Sequence, residues 1–167
     1  MDYALFVDLD GVLADFDRAV EEITGLRPSS QSPKAMWPQL ARTPGFYEHL
    51  PWTPDGPHLW ARVSRHAPVI LTGLPRGAWA KPQKLAWCRR ELGADVPVIA
   101  CMSREKAEKA WAWLTDGRSP ASDGSTPVPV LIDDRASLRE QWEEAGGVFV
   151  HHVSAEKSIR RLEELGL

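Results

Sequence analysis

The segment FVDLDGVLAD, residues 6–15, joins an apolar run to two closely spaced carboxylates near the start of the chain. Residues 4–7 are apolar and predict a buried strand. Asp8 and Asp10 follow at positions i and i+2, and an extended backbone directs both side chains to the same side. Gly11 permits the sharp turn that would expose them at a strand end. Because two like charges this close are costly, the segment predicts a site that uses them with a cation or for proton transfer.

Five short apolar runs recur along the chain, with helical patterns between them. We predict strands at residues 4–8, 69–71, 96–100, 128–132 and 148–151, and helices at 14–24, 57–66, 78–92, 104–114, 136–145 and 155–165. Nearly continuous apolarity is typical of strands that are covered on both faces of a parallel sheet. The alternation therefore predicts an α/β fold with one open parallel sheet flanked by helices.

Residues 25–68 interrupt this alternation, because they are rich in proline and tryptophan and carry only short helical patterns. We predict a single domain, residues 1–167, with a small helical cap at residues 17–67 inserted after the first strand. Such a cap would lie over the carboxyl edge of the sheet, where open α/β sheets bind ligands. The polar stretch at 115–127 runs from a helix to a strand, so we expect it at the opposite edge.

Bulk properties exclude several classes of protein. The formal net charge is −3, and Lys and Arg are scattered without a basic stripe, which argues against binding of nucleic-acid polymers. No apolar run is long enough to cross a bilayer, and the acidic Asp2 before the first strand argues against a signal peptide. Cys88 and Cys101 lack metal-ligand spacing. We expect a cytoplasmic monomer or homodimer without membrane contact.

Polar residues follow four of the predicted strands, and the carboxyl ends of parallel strands meet at one edge of a sheet. Taken alone, each motif has a structural alternative: a strand-end turn, a solvated helix lysine, or an acidic helix cap. Their joint occurrence in this order favours a functional site. The residues are Asp8 and Asp10 after the first strand, Thr72 and Gly73 after the second, Lys106 after the third, and Asp133 and Asp134 after the fourth.

These residue types suit phosphoryl transfer. We predict Asp8 as a nucleophile that forms an aspartyl-phosphate, and Asp10 as the acid that protonates the leaving oxygen and then deprotonates the attacking water. Thr72 offers a hydroxyl and Gly73 an unobstructed N–H to phosphate oxygens. Lys106 offsets the charge that develops on the phosphoryl group.

A divalent cation completes the predicted site. Four carboxylates that face one phosphate would repel it unless a cation intervened. We therefore predict Mg²⁺ as the cofactor and a small phosphorylated molecule as the substrate. The predicted metal ligands are Asp8, Asp10, Asp133 and Asp134.

The order of the motifs resembles that of the haloacid dehalogenase (HAD) superfamily of phosphatases over nearly the whole chain. The resemblance implies a HAD-like, Rossmannoid sheet. Within that superfamily, five segments resemble the 5′(3′)-deoxyribonucleotidases: DLDGVLADF at 8–16, GFYEHLP at 45–51, KLAW at 84–87, SREK at 103–106 and LIDDR at 131–135.

This resemblance also implies roles for individual residues. Asp8 and Asp10 would act as nucleophile and acid/base. Mg²⁺ would be held by the aspartates of the last motif and by the backbone carbonyl of Asp10. Phe16 would belong to an aromatic pocket that stacks the base, and Arg104 would lie near the phosphate beside Lys106.

Aromatic residues of the predicted cap can shape a slot for a nucleobase, since an aromatic face stacks on any base. The candidates are Trp37, Phe46, Tyr47 and Trp52, and of these we assign Trp37 to substrate binding. Their alternative is a small core within the cap. His151 and His152 end the fifth strand, where a hydrogen-bonded structural pair is favoured over a catalytic one.

We therefore predict a Mg²⁺-dependent phosphomonoester hydrolase that acts on nucleoside monophosphates. One alternative keeps the chemistry and changes the substrate to a sugar phosphate or another small phosphometabolite. A remoter alternative is a phospho-acceptor or scaffold domain without turnover. Asp10 disfavours that alternative, because an adjacent acid/base would speed loss of the phosphoryl group.

Overall fold

The computed structural model describes residues 2–116 and 124–167. None of the helices in these ranges has the length and apolarity that crossing a membrane requires. In chain order the elements are β1 (Tyr3–Val7), α1 (Phe16–Thr24), α2 (Pro33–Arg42), α3 (Gly56–Val63), β2 (Val69–Gly73), α4 (Ala80–Glu91), β3 (Val98–Cys101), α5 (Lys106–Thr115), β4 (Val128–Asp133), α6 (Arg139–Glu144), β5 (Val148–His151) and α7 (Ala155–Leu165).

The five strands form one sheet in the order β3-β2-β1-β4-β5, and every pairing is parallel. The predicted α/β fold with an open parallel sheet is therefore confirmed. β1 is the central strand, and Val7 pairs with Ile70 on one side and with Ile132 on the other. The strand order reverses between β1 and β4, which is where open α/β sheets bind ligands.

Side chains along β1 alternate between two apolar layers, as the two-residue period of a strand requires. Leu5 lies in a layer with Leu59 of α3 and Leu162 of α7. Phe6 lies in the opposite layer, where it meets Trp142 of α6 edge to face with ring centroids 6.1 Å apart. Helices thus cover both faces of the sheet, and the strand ends carry the polar groups.

Helices α1, α2 and α3 all lie between β1 and β2 in the chain. α3 packs against α7 and belongs to the layer that covers the sheet. Met36 and Leu40 of α2 join the same apolar cluster as the sheet residues. The inserted segment therefore packs continuously with the main core, and the cap limits of 17–67 remain a prediction.

Helix α2 is missing from the predicted elements because its prolines obscure the helical pattern. Ser32 caps its start by accepting a hydrogen bond from the Ala35 N–H (3.2 Å), and Pro33 occupies the first turn, where no N–H is needed. Pro38 lies inside the helix and removes one backbone donor. Burial of Met36 and Leu40, one turn apart, stabilises the helix despite this loss.

Helix α4 fastens the segment that follows α2 to the body of the protein. Gln83 Oε1 accepts a hydrogen bond from the Tyr47 N–H (2.9 Å), and Trp87 Nε1 donates to the Leu50 carbonyl (2.8 Å). Trp87 is fully buried, so water cannot replace that bond. Residues 47–50 are therefore held against α4.

The predicted polar stretch 115–127 lies largely outside the described residues, because 117–123 are not among them. Its described flanks are the end of α5 at Thr115 and the start of β4 at Val128, which pairs with Tyr3 at the start of β1. Both flanks therefore lie at the amino edge of the sheet.

Candidate active site

The turn that follows β1 places the two carboxylates of the first motif. The Asp8 N–H donates to the Ile132 carbonyl (2.9 Å), which extends the pairing with β4 by one residue. The Leu13 N–H then donates a hydrogen bond to the Leu9 carbonyl (2.9 Å). Both leucine side chains are fully buried. The buried leucines anchor the turn, and the turn holds Asp10 at the end of the central strand.

Gly11 is required in this turn for two reasons. Its φ of 79° lies in the left-handed region, which strains residues with a side chain. A Cβ at this position would also overlap the carboxylate of Asp134. The missing side chain therefore lets the end of β4 approach the turn after β1.

Lys106, the first residue of α5, joins the carboxylates at the ends of β1 and β4. Its Nζ lies 2.9 Å from Asp8 Oδ1 and 2.6 Å from Asp133 Oδ2. Burial by itself lowers a lysine pKa, but Asp8 and Asp133 outweigh burial, so the pKa of Lys106 is raised. Lys106 is therefore a buried, permanently positive group.

Lys84 of α4 is the second buried lysine of the site, and it contacts Asp10 and the end of β2. Its Nζ donates to Asp10 Oδ2 (2.6 Å), to the Gly73 carbonyl (2.6 Å) and to Thr72 Oγ1 (3.0 Å). The same ammonium group lies 4.4 Å from the centre of the Tyr47 ring. The Lys84 side chain is fully buried, so these partners replace the water molecules that would hydrate its ammonium group in solution.

Burial governs the carboxyl groups of the site. It raises the pKa of Asp10, although Lys84 opposes it and Asp8 adds to it. Burial and Asp8 also raise the pKa of Asp133 to about 6. For Asp134, burial together with Asp8 and Asp133 raises the pKa to about 7. Burial, with Asp8 as a negatively charged neighbour, thus makes each of these carboxylates costly to ionise.

Three of these carboxylates could hold a cation. Asp8, Asp133 and Asp134 each offer one oxygen, and the three oxygens lie within 4.8 Å of one another. Together with Asp10 they make four carboxylates against two buried lysines, a surplus of two negative charges that a divalent ion would balance. Oxygen-only donors are those that Mg²⁺ prefers, so the residues present fit this ion. The Asp10 carboxylate does not belong to this group of three.

A cavity of about 320 Å³ opens at these carboxylates. Asp8, Asp10, Gly73, Lys106 and Asp134 line its polar part. One oxygen of Asp10, Oδ1, is buried and has no hydrogen-bond partner within the described residues. An orphaned buried acceptor is costly, and it is typical of sites that bind an ion or carry chemistry.

Aromatic residues line another part of this cavity. Phe16, Trp37 and Tyr47 all face it. The Phe16 ring lies 6.1 Å from that of Tyr47 in a stacked arrangement and 5.9 Å from that of Trp37. Phe46 packs against Phe16 at 5.8 Å but does not line the cavity. Phe16 and Trp37 are thus part of one aromatic cluster beside the carboxylates.

A second cavity, of about 740 Å³, adjoins the first. The two cavities share Trp37, Leu74 and Pro75. Trp79 lines only the outer one, and the charged residues on its walls are Lys34 and Arg76, both cations. We call this cavity the outer groove.

The structure brings most of the predicted site residues together. Thr72 is fully buried beneath the cavity and contacts Lys84. Arg104 does not line the cavity: its side chain is exposed, and its carbonyl accepts from Gln141 Nε2 (2.7 Å). Ser103 and Arg135 line the cavity instead. In the short 3-10 turn after β3, residues three apart share a face, so Ser103 lies on the side of Lys106 and Arg104 points elsewhere.

Lys84 is the main residue of the site to which we assigned no role from the sequence. It lies in the middle of a helix, where a lysine is usually solvated. The available signal is the pattern of α4, in which Lys84 falls between the buried Ala80 and the buried Trp87 and Cys88. A lysine on the buried face of a helix needs an anion as its partner. The two histidines do not line the cavity: His151 Nε2 is 3.1 Å from the Asp134 carbonyl, and His152 Nδ1 is 2.8 Å from Ser158 Oγ.

Comparison with known proteins identifies a similar fold. No protein-family model and no curated protein sequence matches the chain. A solved structure of a hydrolase from Streptococcus pneumoniae TIGR4 is similar, with a TM-score of 0.57 and 16% sequence identity. The match covers 98% of this chain and 100% of that one. At this identity the likeness shows a shared fold alone.

The Lys84–Asp10 pair predicts a non-additive effect on stability. Lys84→Met leaves a partly buried carboxylate without its cation, and Asp10→Asn leaves a fully buried ammonium without its anion. Each should lower the free energy of unfolding by about 3 kcal/mol. The double variant should lose clearly less than the sum, as urea denaturation would measure. Lys81→Met, an exposed lysine of the same helix, is the control, and additive losses would contradict the pairing.

Neutralising Asp134 should stabilise the folded protein at high pH and leave its stability unchanged at low pH. Because its pKa is about 7 in the folded chain against 3.8 ordinarily, the folded state binds more protons between these values. The contribution of Asp134 to stability in EDTA therefore falls as pH rises through that window. Asp134→Asn should be more stable than wild type at pH 8, by about 1 kcal/mol after solvent screening, and equally stable below pH 4.

Urea denaturation in EDTA at both pH values measures this difference, with the exposed Asp95→Asn as the control. Added Mg²⁺ should stabilise wild type at pH 8 more than it stabilises the variant. A variant that is less stable than wild type at pH 8 in EDTA would contradict the charge crowding at this position.

Proposed function

We propose that this protein is a Mg²⁺-dependent phosphomonoesterase that works through an aspartyl-phosphate on Asp8 and acts on nucleoside monophosphates. The observation that carries the proposal is the arrangement around Asp8. Its carboxylate ends the central strand inside a cavity, with Lys106 2.9 Å away and Asp10 beside it. The streptococcal protein of similar fold is described as a hydrolase, which agrees with hydrolytic chemistry.

In the proposed reaction, an Asp8 oxygen attacks phosphorus and the bond to the leaving oxygen breaks. Asp10 gives its proton to that oxygen, and its raised pKa suits the role of acid. Asp10 then takes a proton from the water that attacks the aspartyl-phosphate, which releases inorganic phosphate and restores Asp8. Lys106 offsets charge on the phosphoryl oxygens during both steps.

Lys84 positions Asp10, the general acid of this reaction. Its three hydrogen bonds fix the orientation of Asp10 and tie it to the end of β2 at Thr72 and Gly73. When Asp10 loses its proton to the leaving group, Lys84 balances the carboxylate that results. Mg²⁺, when held by Asp8, Asp133 and Asp134, would supply a positive charge to the phosphate oxygens.

The walls of the two cavities support a leaving group that is flat and partly apolar. Phe16, Trp37 and Tyr47 stand next to the carboxylates, and Trp79 lines the outer groove. Aromatic side chains stack on a nucleobase for about 1–3 kcal/mol each. A sugar phosphate without a base would leave most of these faces without a partner.

The first test of the proposal is phosphate release with and without metal. We expect wild type to hydrolyse p-nitrophenyl phosphate in Mg²⁺ and to lose the activity in EDTA. Asp8→Asn should abolish turnover because the nucleophile is gone, and Asp10→Asn should slow it about 10²-fold or more. Undiminished turnover in EDTA, or full activity of Asp8→Asn, would contradict the mechanism.

The second test concerns the leaving group. Phe16→Leu keeps much of the side-chain volume but removes the flat face, so kcat/KM for a nucleoside monophosphate should fall about fivefold or more. Hydrolysis of p-nitrophenyl phosphate should change much less. Phe46→Leu, in the same cluster but outside the cavity wall, is the matched control. Equal losses on both substrates would assign Phe16 to packing and favour a small phosphometabolite as substrate.

A further inference from the structure

Ser103 and Gly73 meet at the cavity wall, where neighbouring strands end. Gly73 is the last residue of β2 and pairs with Cys101 of β3, and Ser103 follows two residues later. A Cβ built on Gly73 would lie 2.5 Å from Ser103 Oγ and 3.8 Å from Ser103 Cβ. The Ser103 hydroxyl therefore occupies the space that a side chain at position 73 would need.

The backbone does not explain the glycine at this position. Gly73 is not among the residues with a left-handed φ, so other residues could adopt its conformation. What excludes a side chain is the Ser103 hydroxyl, which turns toward Gly73. Gly73 thus leaves room for a hydroxyl that belongs to the neighbouring strand.

Arg135 holds this hydroxyl from the other side. Its Nη1 donates to Ser103 Oγ (2.9 Å). A guanidinium can only donate, so Ser103 uses a lone pair here and keeps its own proton to donate. In the described parts of the chain no acceptor for that proton is found. A hydroxyl that already accepts from a cation is polarised and donates more strongly.

We propose that Ser103 binds the substrate phosphate by donating its hydroxyl proton to a phosphate oxygen, with Gly73 and Arg135 keeping the hydroxyl in place. Ser103, Gly73 and Arg135 line the same cavity as Asp8 and Lys106. The inference rests on the proposed function and adds a residue that contacts the phosphoryl group. It also explains why residue 73 is a glycine although its backbone conformation does not require one.

Binding of inorganic phosphate in Mg²⁺, measured by calorimetry, tests the contact without turnover. Ser103→Ala should weaken phosphate binding about tenfold, as expected for loss of a hydrogen bond to a charged group, and should raise KM for p-nitrophenyl phosphate similarly. Ser64→Ala, which removes an exposed hydroxyl outside both cavities, is the control and should bind phosphate like wild type.

Substitutions at positions 73 and 103, alone and combined, separate phosphate binding by Ser103 from a merely structural role of that residue. Gly73→Ala should displace the Ser103 hydroxyl and weaken phosphate binding about as much as Ser103→Ala does. In the Ser103→Ala background the same substitution should add nothing, because the hydroxyl is already absent. Gly73→Ser combined with Ser103→Ala should recover much of the affinity, since it returns a hydroxyl to the same space.

The outcomes distinguish this inference from the proposed function. If wild type binds and hydrolyses as proposed but Ser103→Ala binds phosphate equally well, the role of Ser103 is overturned and the phosphatase stands. A Gly73→Ala effect of the same size in both backgrounds also overturns it. If wild type neither binds phosphate nor hydrolyses phosphomonoesters, the proposed function itself fails. Thermal denaturation of each variant shows whether it is folded.

Discussion

Charge balance at the carboxyl edge of the sheet is the constraint on which the rest of the structure depends. Four aspartates meet there, and two fully or nearly buried lysines stand between them. Unpaired charges in an apolar interior are too costly to persist. Each lysine arrives on a different helix, so the charges also fix where α4 and α5 sit on the sheet. The same contacts that assemble the site therefore position two of its helices.

Much of the fold and part of the site can be predicted from the sequence, because parallel strands impose a simple rule. Whatever follows each strand comes to the same edge, so the acids after β1 and β4 must be neighbours once the alternation of strands and helices is recognised. Leu5 and Phe6 illustrate the same regularity, since adjacent residues of a buried strand face opposite layers. The predicted sheet and the observed carboxylate group both follow from this rule.

The remaining features depend on which side chains meet in the folded protein. The spacing of residues along the sequence does not reveal this. Lys84 lies 74 residues after Asp10, and only the packing of α4 brings their charges together. The rotation of a single 3-10 turn decides that Ser103, and not Arg104, faces the cavity. Helix α2 forms although it contains Pro38, because burial of its apolar face in the tertiary structure outweighs a lost backbone bond. These outcomes are set by three-dimensional packing.

The contacts between α4 and residues 47–50 fix one wall of the cavity beside the carboxylates, because Tyr47 lines that cavity. Gln83 and Trp87 bond to that segment, and Lys84 of the same helix contacts both the Tyr47 ring and Asp10. Lifting this segment would break those bonds and uncover a buried cation. The outer groove, between α2 and the residues after β2, meets the inner cavity at Trp37 and crosses none of these contacts. A leaving group that extended from the inner cavity into the outer groove would therefore pass Trp37 and Trp79 and leave all of these contacts intact.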